Sequence, residues 1–128
     1  MVQGITHRGT DALAYLGDAV FEVYLRSWLL AQKNVSAAAY NREAREYVSA
    51  TAQAAMYHKI LPHLSPEEAA VMRRGRNLHT SSKAKSALTR DYRHATGLEA
   101  LFGHLYINGE PQRLADVFAL CVDRGISE

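Results

Sequence analysis

An all-α fold follows from three features of this 128-residue chain. Apolar residues recur at steps of three and four through long segments, helix-start and helix-stop residues flank those segments, and no segment sustains the polar–apolar alternation of a strand. No repeat with a period of about 20 to 50 residues appears. The composition, 48% apolar and 22% charged, is ordinary for a globular protein, and the length suffices for one core, so a single domain over residues 1–128 is expected.

The elements follow in order. Leu13, Leu16, Val20, Val23, Tyr24 and Trp28 mark the buried face of a helix over about Thr10 to Gln32. Thr10 or Asp11 is its expected cap, because a short side-chain oxygen there accepts a first-turn amide hydrogen, and Asn34 is its expected stop. Ser36 begins an alanine-rich second helix with the polar face Arg42, Glu43, Arg45 and Glu46. After a break near Val48 to Ala50, a third helix continues through Gln53 to Leu61 and ends at Pro62. Ser65-Pro66-Glu67-Glu68 is a helix start: serine caps, proline occupies a position that needs no amide hydrogen, and the acids face the positive end of the dipole. That helix reaches Arg74 or Arg76. Residues Asn77 to Thr89, rich in serine and threonine and without apolar period, read as an exposed loop. Asp91 then opens a helix to Ile107, Asn108-Gly109 makes a turn, and Pro111 to Val122 forms a last helix closed by Gly125.

Net charge is only +2, yet it is unevenly placed. Between Val71 and His94, seven cations (Arg73, Arg74, Arg76, Lys83, Lys85, Arg90 and Arg93) face Asp91 alone, giving that band +6 and leaving −4 on the rest. Such a band is an electrostatic footprint for a polyanion, and nucleic acid is the first candidate. Arginine offers bidentate phosphate contacts and lysine point charges, so Arg73, Arg74, Arg76, Asn77, Lys83, Lys85 and Arg93 are the candidate RNA-binding residues. The tyrosines are spread over helices at core-like spacing rather than displayed for base stacking, which favours backbone contact to a duplex. For any single basic residue, a solvated helix face is the plainer account.

Cys121 is the only cysteine, so no internal disulfide is possible and the cytosol is the default compartment. Residues Met1 to Thr10 lack the apolar core of a signal peptide and no apolar run is long enough to span a membrane, so a soluble, untargeted protein is expected unless a longer precursor was trimmed. The histidines have no zinc spacing with Cys121 and read as structural or phosphate-adjacent, and Ser81, Ser82 and Ser86 lack a histidine base for a hydrolase triad.

The segment Asp11 to Phe21 places one acid, Asp18, inside an otherwise apolar helix directly after Gly17. Glycine there costs about 1 kcal/mol relative to alanine, which suggests close backbone approach by a helix or a ligand. A carboxylate in apolar surroundings needs a partner, and the plain alternatives are an ion pair to an arginine or a mid-helix break. Ala95 to Gly103 repeats the pattern with Glu99. Two facing carboxylates suit a hard cation such as Mg²⁺, with water and phosphate completing its shell, and that combination serves phosphodiester hydrolysis.

Ala14-Tyr-Leu-Gly-Asp-Ala-Val-Phe21 resembles the signature helix of the ribonuclease III family, and Glu99-Ala-Leu-Phe-Gly103 is similar to that family's second acidic helix. Together with Arg74-Gly-Arg-Asn77 and the run from Tyr92 to Leu101, these motifs resemble the Mini-III group, which lacks the double-stranded-RNA-binding domain, over about Asp11 to Val122. Ribonuclease III proper has acids where this chain has Ala14 and Thr96, a departure similar to the Mini-III pattern. The resemblance implies an all-helical homodimer, with the Asp18 helix in its interface, cutting each strand of a duplex RNA to leave 5′-phosphate ends. It further implies maturation of large-subunit ribosomal RNA precursor ends in the cytoplasm, with ribosomal proteins on the substrate as further partners. Asp18 and Glu99 would be both catalytic residues and ligands of Mg²⁺, with Mn²⁺ as a substitute. The alternatives are a non-catalytic RNA-binding or ribosome-associated member of the fold and a helical protein-interaction module; the latter leaves the basic band unexplained.

Overall fold

The computed structural model describes residues 9–78 and 87–125. The described residues form six helices: α1 (Thr10–Gln32), α2 (Ala37–Val48), α3 (Ala50–Ile60), α4 (Pro66–Arg76), α5 (Ala87–Ile107) and α6 (Pro111–Val122), with a 3₁₀ turn over Leu61–His63. No strand occurs among the described residues, in keeping with the all-α expectation.

α5 is the central element and packs against α1, α3, α4 and α6. Leu98, Ala100, Leu101 and Phe102 on it have no solvent exposure, and Phe102 meets Phe21 of α1 edge to face with ring centroids 5.2 Å apart. Burying each such large side chain stabilises the fold by roughly 1.5–3 kcal/mol. The core continues through Leu25 and Leu29 of α1, Ile60 of α3, Met72 of α4, and Val117 and Phe118 of α6.

Side-chain caps set three of the helix starts. Ser36 accepts from the Ala39 amide, and Ser49 ends α2 while accepting from the Ala52 amide to start α3. Ser65 and Glu68 form a reciprocal capping box, and Arg113 of α6 grips the same glutamate with Nε 2.8 Å from Oε2. The arginine holds the Glu68 carboxyl below its ordinary range against the opposing effect of burial.

Five local expectations are corrected. Gly9 is the N-cap of α1 and no side chain caps it; Thr10 and Asp11 already lie in the first turn, where the acid acts through the dipole instead. α1 stops at Lys33 rather than Asn34, and α6 at Asp123, which accepts from the Gly125 amide. α5 begins at Ala87, four residues before Asp91: Ala-Leu-Thr-Arg contains no glycine or proline, so the helix extends back into the expected loop. On α1 the buried face is Ala14, Gly17, Val20, Phe21, Leu25 and Leu29, while Val23 is exposed and Leu13, Leu16, Tyr24 and Trp28 are half-buried. The helix has two apolar faces, and the core takes the one with the smaller residues at its crossing.

Candidate functional site

The site is built on the contact between α1 and α5. A Cβ on Gly17 would collide with the backbone carbonyl of Glu99 and lie 2.8 Å from the Gly103 amide nitrogen; a Cβ on Gly103 would collide with the carbonyl of Leu13. Gly17 thus opposes Glu99 while Leu13 opposes Gly103, so the helices run antiparallel with their backbones in contact. Only glycine permits this approach, which accounts for its presence inside α1.

Asp18 and Glu99 stand beside that contact, and their carboxyl groups come within hydrogen-bond reach of each other. Asp18 is exposed and Glu99 half-buried, so the expectation of a buried Asp18 is corrected: the stripe of Ala14, Gly17 and Phe21 turns Asp18 out to the rim. Desolvation falls on Glu99 instead. Its carboxyl is pushed up to about 8, first by burial, then by the charge of Asp18, then by a hydrogen bond that its protonated form donates to Asp18. Neither acid has a basic ion-pair partner among the described residues, which removes the buried salt bridge as an explanation.

The two positions without acids have definite structures. Ala14 closes a small apolar cluster with Val71 of α4 and Ala100 of α5, so α4 fills the space a longer side chain would need. Thr96 donates its hydroxyl hydrogen to the Tyr92 carbonyl at 2.9 Å, leaving only acceptor lone pairs. Among the described residues no group of three or more histidine, cysteine or acidic side chains is arranged to hold a metal. A pair of carboxylates with nearby oxygen acceptors remains. Such a pair is stabilised by a shared proton or by a hard cation, and Mg²⁺ is the cation commonly held by so few protein ligands.

The basic candidates divide. Arg73 and Arg74 are exposed at the end of α4, and Arg93 is exposed on α5. Arg76 is half-buried, donates from Nε to the Asn77 side-chain oxygen at 3.1 Å, and reaches the hydroxyl of Tyr57. Asn77 is the C-cap of α4. Lys83 and Lys85 lie outside the described residues. The sequence reading missed a group beside Arg76: the rings of Tyr57, His58 and His94 gather there, and only Gly75 and Gly97 hint at the close helix contact that assembles them. Nor are all tyrosines core-like: Tyr15, Tyr92 and Tyr106 are 86%, 61% and 47% exposed.

Beside its core face, α1 carries further apolar side chains that reach solvent. Leu16, Val20, Val23, Tyr24, Tyr106 and Leu114 border an open groove of about 670 Å³, and Val23 and Leu30 are exposed along this helix. No described helix is long and apolar enough to cross a membrane.

Comparison with known proteins gives consistent matches. The family described as "Ribonuclease III domain" matches residues 11–110. A Mini-ribonuclease 3 of Thermoanaerobacter sp. is 40% identical over 94% of this chain and 84% of its own length. One of Symbiobacterium thermophilum is 44% identical over 87% of this chain and 85% of its own length. Among solved structures, a crystal structure of a Fusobacterium nucleatum protein superimposes with a TM-score of 0.78 at 26% identity, covering 94% of this chain and 97% of that one.

Proposed function

The chain belongs to the Mini-III branch of the ribonuclease III family, and on that footing we propose that this endoribonuclease cuts double-stranded RNA using Mg²⁺ held by Asp18 and Glu99. The observation that carries the reading is the pair itself: two carboxyl groups in hydrogen-bond reach, without a base, one of them pushed up to about 8. That arrangement is costly as two bare anions and favourable around a cation. Mn²⁺, with the same preference for oxygen ligands, is the expected substitute.

Held by Asp18 and Glu99, Mg²⁺ would supply Lewis acidity toward a phosphodiester and would neutralise charge gathering on its oxygens. The chain's own residues do the rest. Exposed Asp18 accepts a hydrogen bond from the attacking water and aligns it with phosphorus. As the new P–O bond forms, the bond from phosphorus to the 3′ oxygen breaks, that oxygen takes up a proton, and the phosphate stays on the 5′ end. Glu99, half desolvated and carried on the central helix, would hold the cation from the other side of the pair. Arg73, Arg74, Arg76 and Arg93, with Asn77, Lys83 and Lys85, hold phosphates of the duplex along the basic band.

A second copy of the chain is the expected occupant of the exposed apolar face of α1, giving a homodimer with one carboxylate pair for each strand. Precursors of large-subunit ribosomal RNA, carrying ribosomal proteins, are the proposed substrates in the cytoplasm. The test is cleavage of duplex RNA by wild type and by Asp18→Asn, each with Mg²⁺ and with EDTA. A metal-dependent cut lost in the variant, with RNA binding retained, is expected; wild-type cutting by Asp18→Asn overturns the assignment. Binding without cutting by wild type would instead support the non-catalytic scaffold, for which Ala14 and Thr96 are the argument.

A further inference from the structure

About 140° round α5 from Glu99, a second polar cluster forms where α3 and α4 meet the central helix. There Gly97 lies against Gly75: a Cβ on Gly97 would stand 2.6 Å from the Met72 carbonyl oxygen and 2.8 Å from the Tyr57 ring. His94, three residues before Gly97, has its ring centroid 4.7 Å from that of Tyr57 and 4.6 Å from that of His58. Arg76 reaches the Tyr57 hydroxyl, and Arg73 is near enough to act on it through its charge. Tyr57 is buried, His94 and Arg76 are half-buried, and His58 and Arg73 are exposed, so the cluster opens to solvent on one side.

Chemistry fixes part of its hydrogen bonding. His94 Nδ1 lies 2.8 Å from the Arg90 carbonyl oxygen, which only accepts, so the ring hydrogen sits on Nδ1 and Nε2 carries a lone pair or, once protonated, a second N–H. Neither Arg73 nor Arg76 has a carboxylate within ion-pair distance among the described residues. Asp91, the acid on this stretch of α5, accepts a hydrogen bond from the Thr51 hydroxyl at 3.2 Å. Four cationic or protonatable side chains from three helices thus converge, and an anion placed among them offsets their mutual repulsion.

We propose that His58, His94, Arg73 and Arg76 form a subsite for a backbone phosphate of the duplex, separate from the phosphate that is cut. The proposal rests on the duplex-RNA reading of the Asp18–Glu99 site. Arginine provides paired donors, and His94 in its protonated form donates from Nε2 to a phosphate oxygen. The titratable and charged groups around His94 are Tyr57 and His58 from α3, Arg73 and Arg76 from α4, and Arg90 and Asp91 on its own helix.

The test measures duplex affinity in EDTA, where the RNA stays whole, for wild type and for a variant with His58→Gln and His94→Gln. At about pH 6 the variant is expected to bind about threefold to tenfold more weakly, with a salt slope smaller by about one; by about pH 8 the two proteins should converge. Comparing them at each pH cancels the proton taken up by Glu99, which both share. Equal binding at the lower pH by a variant with an unchanged thermal melt overturns the subsite and leaves the catalytic reading standing. A wild type that fails to hold the duplex takes both down. If the double variant does not fold, ¹⁵N spectra of the wild-type histidine rings decide: a shift of His94 Nε2 on adding the uncut duplex supports the subsite, and an unmoved signal overturns it.

Discussion

α5 meets its neighbours at two glycine contacts, and the two differ in what they display. At Gly17 and Gly103 the backbones of α1 and α5 touch, and the side chains beside them are acids. At Gly75 and Gly97 the backbones of α4 and α5 come nearly as close, and the side chains beside them are cationic or protonatable. In both places a missing Cβ lets the main chains close, so helix axes that usually stand about 8–10 Å apart come nearer and the polar side chains beside them are drawn together. Like charges gathered this way call for a counter-ion. The first contact suits a cation and the second an anion, the pairing that the proposed metal-assisted cleavage of a phosphodiester requires.

The contrast breaks most severely at the first contact. Gly17→Ala sets a methyl into the Glu99 carbonyl, where no flexible side chain can give way. Gly75→Ala meets the Gly97 Cα at 2.8 Å and the Ala100 side chain at 2.9 Å, a lesser clash. Overpacking typically costs about 1–3 kcal/mol, so we expect Gly17→Ala to lie at or beyond the upper end and Gly75→Ala below it, read by urea unfolding. Equal losses would show that the two contacts are not graded as described.

Asp18→Asn comes next and should leave the fold in place, because the side chain is exposed and its shape is kept. Partners that only orient a metal ligand already cost about 10–100-fold on removal, so loss of the proposed ligand itself should exceed that range in the cleavage rate. A loss under tenfold would move the metal away from this residue.

Glu99→Gln separates proton from cation at the same pair. In the unfolded chain the carboxyl titrates near 4.5, and in the metal-free fold near 8. Between those values the folded state holds a proton the unfolded state lacks, so wild-type stability falls as pH rises from about 4.5 through 8 and then levels off. Glutamine has no such dependence. In EDTA the thermal midpoint of Glu99→Gln relative to wild type should therefore climb with pH up to about 8. Mg²⁺ should restore wild type at high pH and do less for the variant. A pH-independent difference would mean that the carboxyl is not desolvated.

Much of this frame was legible in the residues, and the gaps have physical causes. α1 was readable from Thr10 to Gln32 because its apolar period is long, and Ser65 to Glu68 announced α4 because a capping box is a local device. The buried face of α1 was not readable, since a helix apolar on two sides offers two stripes and only the Gly17 contact selects one. The same ambiguity hid the exposure of Asp18. The acid pair could be anticipated from glycines recurring beside Asp18 and Glu99, whereas the meeting of His58, His94 and Arg76 depends on three helices converging, which no local pattern encodes.

The smallest expected effect concerns the lysines between α4 and α5. Lys83→Ala with Lys85→Ala should weaken duplex binding and lower its salt slope by up to about two, at about 0.9 for each phosphate no longer neutralised, while the metal-dependent cutting rate of bound RNA stays the same. The reason lies in the division between the two glycine contacts and the rest of the basic band. In the proposed mechanism, groups on the flank of α5 fix the geometry of the reacting phosphate, whereas the two lysines contribute charge alone, and charge that is not aligned with the reacting atoms strengthens binding without lowering the barrier. A double variant that binds normally but cuts slowly would reverse this division and place one of the lysines beside the Asp18–Glu99 pair.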